Sequence, residues 1–231
     1  IRDKLKIIND KIRNAEINSC REVYSVKLMA VSKFHPCEKI IDAINEGQFL
    51  FGENRVQEAN EKFPKIFEKF PKTELHMIGS LQTNKVKNAV KISSCIQSVD
   101  RLDLIKEIEK QSEKADKFIK ILFELHTGEE SKSGFENAEL LEEALNYCSE
   151  GNAPHVIPSG FMTMAPFTDD KNRIRKSFET LRLIKENLQS KYKMYDLNEL
   201  SMGMSGDFEI AIEEGSTLVR VGTAIFGERQ Y

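Results

Sequence analysis

The chain has 231 residues, of which 40% are hydrophobic and 31% are charged, and its formal net charge is −3 at pH 7. That composition is typical of a globular protein, and a chain of this length can form one large domain or two small ones. The small negative charge gives no reason to expect nucleic acid as a partner. The sequence contains no run of about 18 apolar residues, so we expect no membrane span.

The four cysteines and four histidines are widely dispersed, and no two cysteines form a C-x-x-C pair. This spacing favours free thiols in a reducing compartment over a disulfide framework or a zinc site, and it predicts a cytoplasmic protein. The N-terminus is amphipathic and charged, without the apolar core of a signal peptide.

Apolar residues at spacings of three and four predict an N-terminal helix over residues 1–19. After it, short apolar runs alternate with helical patterns along the rest of the chain. The predicted strands are 27–31, 48–52, 75–79, 95–99, 118–125, 155–162, 199–202 and 217–221. The predicted helices between them are 36–47, 56–66, 84–90, 101–114, 137–148, 174–188 and 207–213.

Eight strand–helix units without a break in composition predict an α/β fold with a parallel sheet. At this chain length they predict a closed (β/α)8 TIM-type barrel with an extra N-terminal helix, as one domain over residues 1–231. An open doubly wound sheet is the alternative. Two local irregularities are expected, because Pro64 should shorten or kink the helix 56–66 and Pro158 should disturb the strand 155–162.

Lys33 follows the first predicted strand, at the end of a barrel where functional groups are found. It shares side-chain parity with Met29 and Val31, so we expect it to point into the barrel. Desolvation there would favour the neutral, nucleophilic form of the amine, which can form an imine with an aldehyde.

A glycine-rich segment over 200–207 and the end of the last predicted strand together predict an anion site. Ser205 and Gly206 open a predicted helix, whose first backbone N–H groups can bind a phosphate. Gly222 lets the backbone approach closely, and Thr223 adds a hydroxyl donor. A ligand with an aldehyde and a phosphate needs both this site and Lys33, and pyridoxal 5′-phosphate (PLP) is such a ligand.

Arg220 shares side-chain parity with Leu218, so it is also predicted to point into the barrel. A guanidinium is always protonated and has no acceptor, so against a pyridine nitrogen it would donate a hydrogen bond and disfavour ring protonation. Each of these residues alone has a structural explanation, as a solvated lysine, a helix cap or a core ion pair. Only their combination favours a ligand site, whereas His76 alone is interpreted as a structural core histidine.

Seven segments extend this pattern, in register along nearly the whole chain: AVSK at 30–33, FGEN at 51–54, HMIGSLQTNK at 76–85, GEESKSG at 128–134, MTMAP at 162–166, LSMGMSGD at 200–207 and RVGTAIFG at 220–227. In these segments the sequence resembles the pyridoxal phosphate homeostasis protein family. That family is in turn similar to the N-terminal barrel of bacterial alanine racemase.

The resemblance implies that PLP is held as a Schiff base on Lys33, with Asn54 near the cofactor and Arg220 at the pyridine nitrogen. It implies that Ser205, Gly222 and Thr223 hold the phosphate, with the backbone of Met204 nearby. It further implies a cytosolic, monomeric protein without an established catalytic turnover. Such a protein would buffer PLP or deliver it, with apo forms of PLP-dependent enzymes as partners.

Two enzymatic functions remain as alternatives. A PLP-dependent amino-acid racemase needs proton acceptors on both faces of the bound substrate, and Lys33 can serve only one. None of the five tyrosines lies at a predicted strand end, although Tyr231 could fold over the barrel mouth. An aldolase with a Schiff-base lysine and no cofactor would need a polar acid–base network around the lysine, and Ala30, Val31 and Phe34 supply little of one.

Overall fold

The computed structural model describes residues 1–128 and 133–228. The strands are β1 (Lys27–Val31), β2 (Leu50–Glu53), β3 (Glu74–Met77), β4 (Cys95–Val99), β5 (Ile119–Glu124), β6 (Val156–Met162), β7 (Glu199–Ser201) and β8 (Leu218–Val221). The helices are α1 (Arg2–Asn18), α2 (Cys37–Asn45), α3 (Val56–Lys69), α4 (Val86–Ile92), α5 (Leu102–Lys114), α6 (Ala138–Tyr147), α7 (Lys171–Lys191), α8 (Phe208–Glu213) and α9 (Thr223–Phe226). Part of the GEESKSG segment and Tyr231 lie outside the described residues.

The eight strands form a closed barrel in sequence order, and every neighbouring pair is parallel. Closure occurs between the first and last strands, where Lys27 pairs with Leu218 and Ala30 pairs with Val221. The predicted (β/α)8 barrel with an N-terminal helix is therefore confirmed, and the open doubly wound alternative is wrong. In the described residues, no helix is both long enough and apolar enough to cross a bilayer.

Pro64 does not shorten its helix, because α3 continues past it to Lys69. Proline removes one hydrogen bond from a helix interior, but the helix also gains from the apolar face that it buries. On that face Phe63 is fully buried and Ile66 is 2% exposed. The packing of α3 against the barrel therefore outweighs the local preference of Pro64.

The predicted irregularity of the sixth strand is confirmed. The register shifts where Ile121 pairs with Pro158 and Leu122 pairs with Gly160, so Ser159 is an additional residue in β6. Gly160 has φ +148°, and a Cβ atom there would lie 2.0 Å from the carbonyl oxygen of Glu199. Only glycine fits at this contact between β6 and β7.

The main apolar core lies between the strands and the helices, whereas much of the barrel interior is polar. His76, Gln97, Ser201 and Arg220 project inside the barrel, and each is at most 8% exposed. His76 is thus buried in the interior, in agreement with its interpretation from the sequence. Buried polar groups require hydrogen-bond partners, and the partners of Arg220 lie near one end of the barrel.

Candidate functional site

A cavity of about 490 Å³ lies at the carboxyl ends of the strands. Its lining includes every residue for which the sequence predicted a role in binding: Lys33, Asn54, Met204, Ser205, Arg220, Gly222 and Thr223. The barrel thus brings together residues from the loops after β1, β2, β7 and β8. Gly79 packs against one of them so closely that a Cβ atom would lie 2.4 Å from the carbonyl oxygen of Asn54.

Lys33 lies in a turn beyond the first strand, because β1 already ends at Val31. The next residue, Phe34, has φ +64°, a left-handed conformation that costs free energy for any residue with a side chain. Hydrogen bonds on both sides of Lys33 hold this turn. The Ser32 hydroxyl donates to Glu53 Oε1 at 2.7 Å, and the Phe34 N–H donates to Glu58 Oε1 at 2.6 Å.

Lys62 on α3 connects the two carboxylates that hold the turn. Its Nζ lies 3.1 Å from Glu53 Oε1 and 2.5 Å from Glu58 Oε1, and it donates to the carbonyl oxygen of Ser32 at 3.1 Å. The sequence predicted mainly apolar neighbours around Lys33, and no local pattern in it indicated this network. Neither carboxylate lines the cavity. The network therefore fixes the backbone of the turn and does not supply an acid or base to the amine.

Glu53 makes the stability of this network depend on pH. Burial raises the pKa of its carboxyl to about 7 from an ordinary value of 4.5, and the attraction of Lys62 opposes the increase. The folded state therefore binds a proton more tightly than the unfolded state does. This difference in proton binding stabilises the folded state fully below pH 4.5, and the stabilisation is lost as the pH rises through 7.

We expect Glu53→Gln to reduce the loss of unfolding free energy between pH 4.5 and pH 8 by roughly 2–3 kcal/mol, because glutamine cannot ionise. Urea denaturation at a series of pH values measures this slope. Glu61→Gln, at an exposed position of α3, is the matched control and should keep the slope of the unsubstituted chain. An unchanged slope in Glu53→Gln would show that Glu53 does not carry the effect.

Arg220 lies at the floor of the cavity and is 4% exposed. Its Nη1 donates to the carbonyl oxygen and to the hydroxyl of Ser201, at 2.6 and 2.7 Å, and its Nη2 donates to the carbonyl oxygen of Thr163 at 2.8 Å. A guanidinium has five N–H groups, so two remain without an acceptor among the described residues. Burial lowers the pKa of Arg220 to about 10, while Glu124 and Asp207 favour its charge. It remains a cation at neutral pH.

Two turns present backbone N–H groups at the wall of the cavity. Those of Ser205, Gly206, Gly222 and Thr223 make no hydrogen bond to another residue that the structure describes. The helices that follow these turns are short, since α8 has 6 residues and α9 has 4. An anion here would therefore bind the N–H groups of the turns, with little contribution from a helix dipole.

Glu124 is a lining residue that the sequence analysis missed. It is 3% exposed, accepts a hydrogen bond from the Ser133 hydroxyl at 2.7 Å, and has a pKa raised by burial. It ends β5, which lies opposite β1 in the closed order of eight strands. A signal was present in the sequence, because a carboxylate at the end of a largely apolar strand needs an explanation.

An apolar part of the lining was also missed. Met162 ends β6, Met164 lies just beyond that strand, and both line the cavity. Phe167 lies at the rim with 98% of its surface exposed. The sequence alone gave neither methionine a role in the site. Their position beside Arg220 gives the cavity one apolar wall, which suits a flat aromatic ligand.

The family model of the alanine racemase N-terminal domain matches residues 10–230 of the chain. Over 229 residues the chain is 39% identical to the pyridoxal phosphate homeostasis protein of Aquifex aeolicus, with 99% of this chain and 98% of the relative covered. The chain therefore belongs to the pyridoxal phosphate homeostasis protein family.

Solved structures show the same similarity. An unknown protein from Bifidobacterium adolescentis has a TM-score of 0.90 at 32% identity, with 97% of this chain and 94% of that chain covered. PipY of Synechococcus elongatus, solved with PLP bound, has a TM-score of 0.82 at 34% identity, with 94% of this chain and 99% of that chain covered.

Proposed function

We propose that this chain binds PLP in the cavity at the carboxyl ends of the strands and serves intracellular PLP homeostasis by buffering or delivering the cofactor. One observation carries the proposal. A single cavity of about 490 Å³ is lined by the amine of Lys33, by Arg220 and by two turns. Some N–H groups of Arg220 and of the turns have no acceptor among residues 1–128 and 133–228. PLP has an aldehyde, a pyridine nitrogen and a phosphate, one group for each of these three features.

Each lining residue has a defined role in this proposal. Lys33 holds the cofactor covalently as a Schiff base, and Arg220 donates a hydrogen bond to the pyridine nitrogen and disfavours its protonation. The turns at Ser205 and at Gly222–Thr223 bind the phosphate through N–H and hydroxyl donors. Met204 contributes its backbone to the same turn. Asn54, which follows β2 beside β1, contacts the cofactor near Lys33.

The relatives support a role in homeostasis. The Aquifex aeolicus protein is named a pyridoxal phosphate homeostasis protein, and PipY was solved with PLP bound. We further propose that the chain acts as a monomer in the cytoplasm, where its four free cysteines would remain reduced. Its protein partners would then be apo forms of PLP-dependent enzymes. Light scattering at micromolar concentration tests the monomer, and a stable dimer would contradict it.

Transfer of labelled PLP to an apo-enzyme tests the proposal directly. The purified chain should turn yellow with PLP, and it should then activate an apo-enzyme in the presence of a trap for free aldehyde. A chain that cannot be loaded with PLP would refute the proposed function. Loading without transfer in the presence of the trap would leave buffering and exclude delivery by direct contact.

The phosphate turns give a separate prediction. Replacing both Ser205 and Thr223 by alanine should remove two charge-assisted hydrogen bonds, each worth about 1.5–3 kcal/mol. We expect the dissociation constant for pyridoxine 5′-phosphate, which cannot form a Schiff base, to rise at least about 100-fold. Isothermal titration measures it. The double variant Ser149→Ala/Thr180→Ala, at half-buried positions that do not line the cavity, is the control; equal affinities in the two variants would place the phosphate elsewhere.

Glu124 gives a specific reason to retain amino-acid racemisation as a second candidate function. Among the described residues, no tyrosine lines the cavity, but this buried carboxyl faces it from the strand opposite β1. Two acid–base groups on opposite sides are what racemisation needs. Exchange of the α-proton of amino acids in deuterated water distinguishes the two functions. Exchange at tens of turnovers per second that Glu124→Gln abolishes would favour the enzyme.

A further inference from the structure

A continuous chain of hydrogen bonds crosses the interior of the barrel below the cavity. Arg220 Nη1 donates to Ser201 Oγ at 2.7 Å, Ser201 Oγ donates to Gln97 Oε1 at 2.7 Å, and Gln97 Nε2 meets His76 Nδ1 at 2.8 Å. The four side chains are 4%, 0%, 0% and 8% exposed in that order. They come from strands β8, β7, β4 and β3, so the chain spans the barrel from one wall to the other.

The hydrogen bonds all run in one direction, from Arg220 towards His76. The Ser201 hydroxyl has one hydrogen, and it goes to Gln97 Oε1, so the other end of the Gln97 amide must donate. His76 Nδ1 then carries a lone pair, and the ring proton is on Nε2. Burial, with the nearby charges of Lys27 and Lys120, lowers the pKa of His76 to about 3, so the ring stays neutral and remains an acceptor.

The direction of these hydrogen bonds determines how Ser201 Oγ accepts from Arg220. Because Gln97 takes the hydroxyl hydrogen, the lone pairs of Ser201 Oγ are available to the guanidinium. Without Gln97, the buried hydroxyl would lack an acceptor and would turn its hydrogen towards competing oxygens, including the carbonyl oxygens that Arg220 uses. The guanidinium plane would then lose one of the acceptors that fix it.

We propose that Gln97 and His76 are positioning residues for Arg220, which hold its guanidinium so that the spare N–H groups face the pyridine nitrogen of bound PLP. The inference rests on the proposed function, because it assigns Arg220 to that nitrogen. The inference goes beyond that function because it gives a role to two residues that do not line the cavity. His76 acts at the end of the chain, as the acceptor that keeps the Gln97 amide from flipping.

Three variants test this role. Gln97→Met keeps the length of the side chain but removes both hydrogen bonds. His76→Leu removes the last acceptor, whereas His76→Asn keeps an acceptor oxygen near the place of Nδ1. The readouts are the ¹⁵N chemical shift of PLP labelled at the pyridine nitrogen and the rate of PLP release from the loaded protein. Thermal unfolding of each variant is measured alongside.

We expect the ¹⁵N shift to move in Gln97→Met and His76→Leu, with PLP release about three- to tenfold faster, the effect of one neutral hydrogen bond. His76→Asn should match the unsubstituted chain. A purely structural role would change the unfolding temperature but leave the ¹⁵N shift in place. That result, or equal shifts in His76→Asn and His76→Leu, would overturn the proposal.

The two His76 variants test the positioning role even without Gln97→Met, and PLP loading of the unsubstituted chain tests the proposed function separately. If Gln97→Met does not fold, the matched pair at His76 gives the answer by itself. Loaded variants with an unchanged ¹⁵N shift would refute the positioning role and leave the proposed function standing. Failure of the unsubstituted chain to bind PLP would refute both.

Discussion

Replacing Lys33 by alanine will abolish covalent attachment of PLP and leave the barrel folded. Reduction with borohydride should label the unsubstituted chain at Lys33, and mass spectrometry of the Lys33→Ala variant should find label only at background level. The fold should tolerate the change, because Ser32 and Phe34 hold the turn through their own contacts with Glu53 and Glu58. We expect the unfolding free energy to change by no more than about 0.5 kcal/mol.

Lys87→Ala is the matched control, since Lys87 is exposed on α4 and does not line the cavity. It should be labelled as fully as the unsubstituted chain. Label that moves to another lysine in Lys33→Ala would show that the cavity binds PLP without requiring this amine. Full label at Lys33 in the unsubstituted chain, together with rapid α-proton exchange, would instead move the balance towards the racemase.

The second large effect is expected at Gly160, where alanine should destabilise the fold by about 4 kcal/mol or more. Two causes add. The φ of +148° is a conformation that residues with a side chain rarely adopt, and the new Cβ would lie 2.0 Å from the carbonyl oxygen of Glu199. Since this oxygen belongs to the neighbouring strand, relief requires β6 and β7 to move apart. Urea denaturation measures the loss.

Gly151→Ala separates the two causes. Gly151 has φ +82°, but a Cβ there would have no neighbouring atom within 4 Å. The control should therefore lose only about 1–2 kcal/mol, the cost of a left-handed conformation. If both variants lose the same amount, the close contact between β6 and β7 does not contribute.

The order of strands and helices was predictable because each element is a local pattern. The strands predicted at 27–31 and 95–99 both form with those bounds. What the sequence did not predict depends on contacts between distant residues. The helix α3 passes through Pro64 because of the core it covers, and the turn of Lys33 depends on Lys62, which no local pattern connects to it.

The candidate site was predictable where the rule of strand ends applies to single residues. Lys33 and Arg220 were found by parity, and both line the cavity, although their roles towards PLP remain predictions. Glu124 follows the same rule because it ends β5, but it lies inside the predicted strand 118–125 and was assigned no role. His76 lies near the end of β3 but was interpreted as a structural core histidine, and Gln97 lies in the middle of β4, so the rule of strand ends did not connect either residue with Arg220.

The pairing of β1 with β8, which closes the barrel, has a consequence for the synthesis of the protein. Lys33 follows the first strand of the barrel, whereas the turns that bind phosphate in our proposal flank the last one. During synthesis Lys33 leaves the ribosome long before the turns that flank β8. If these turns bind the phosphate as we propose, a nascent chain retains PLP only after β8 has docked against β1.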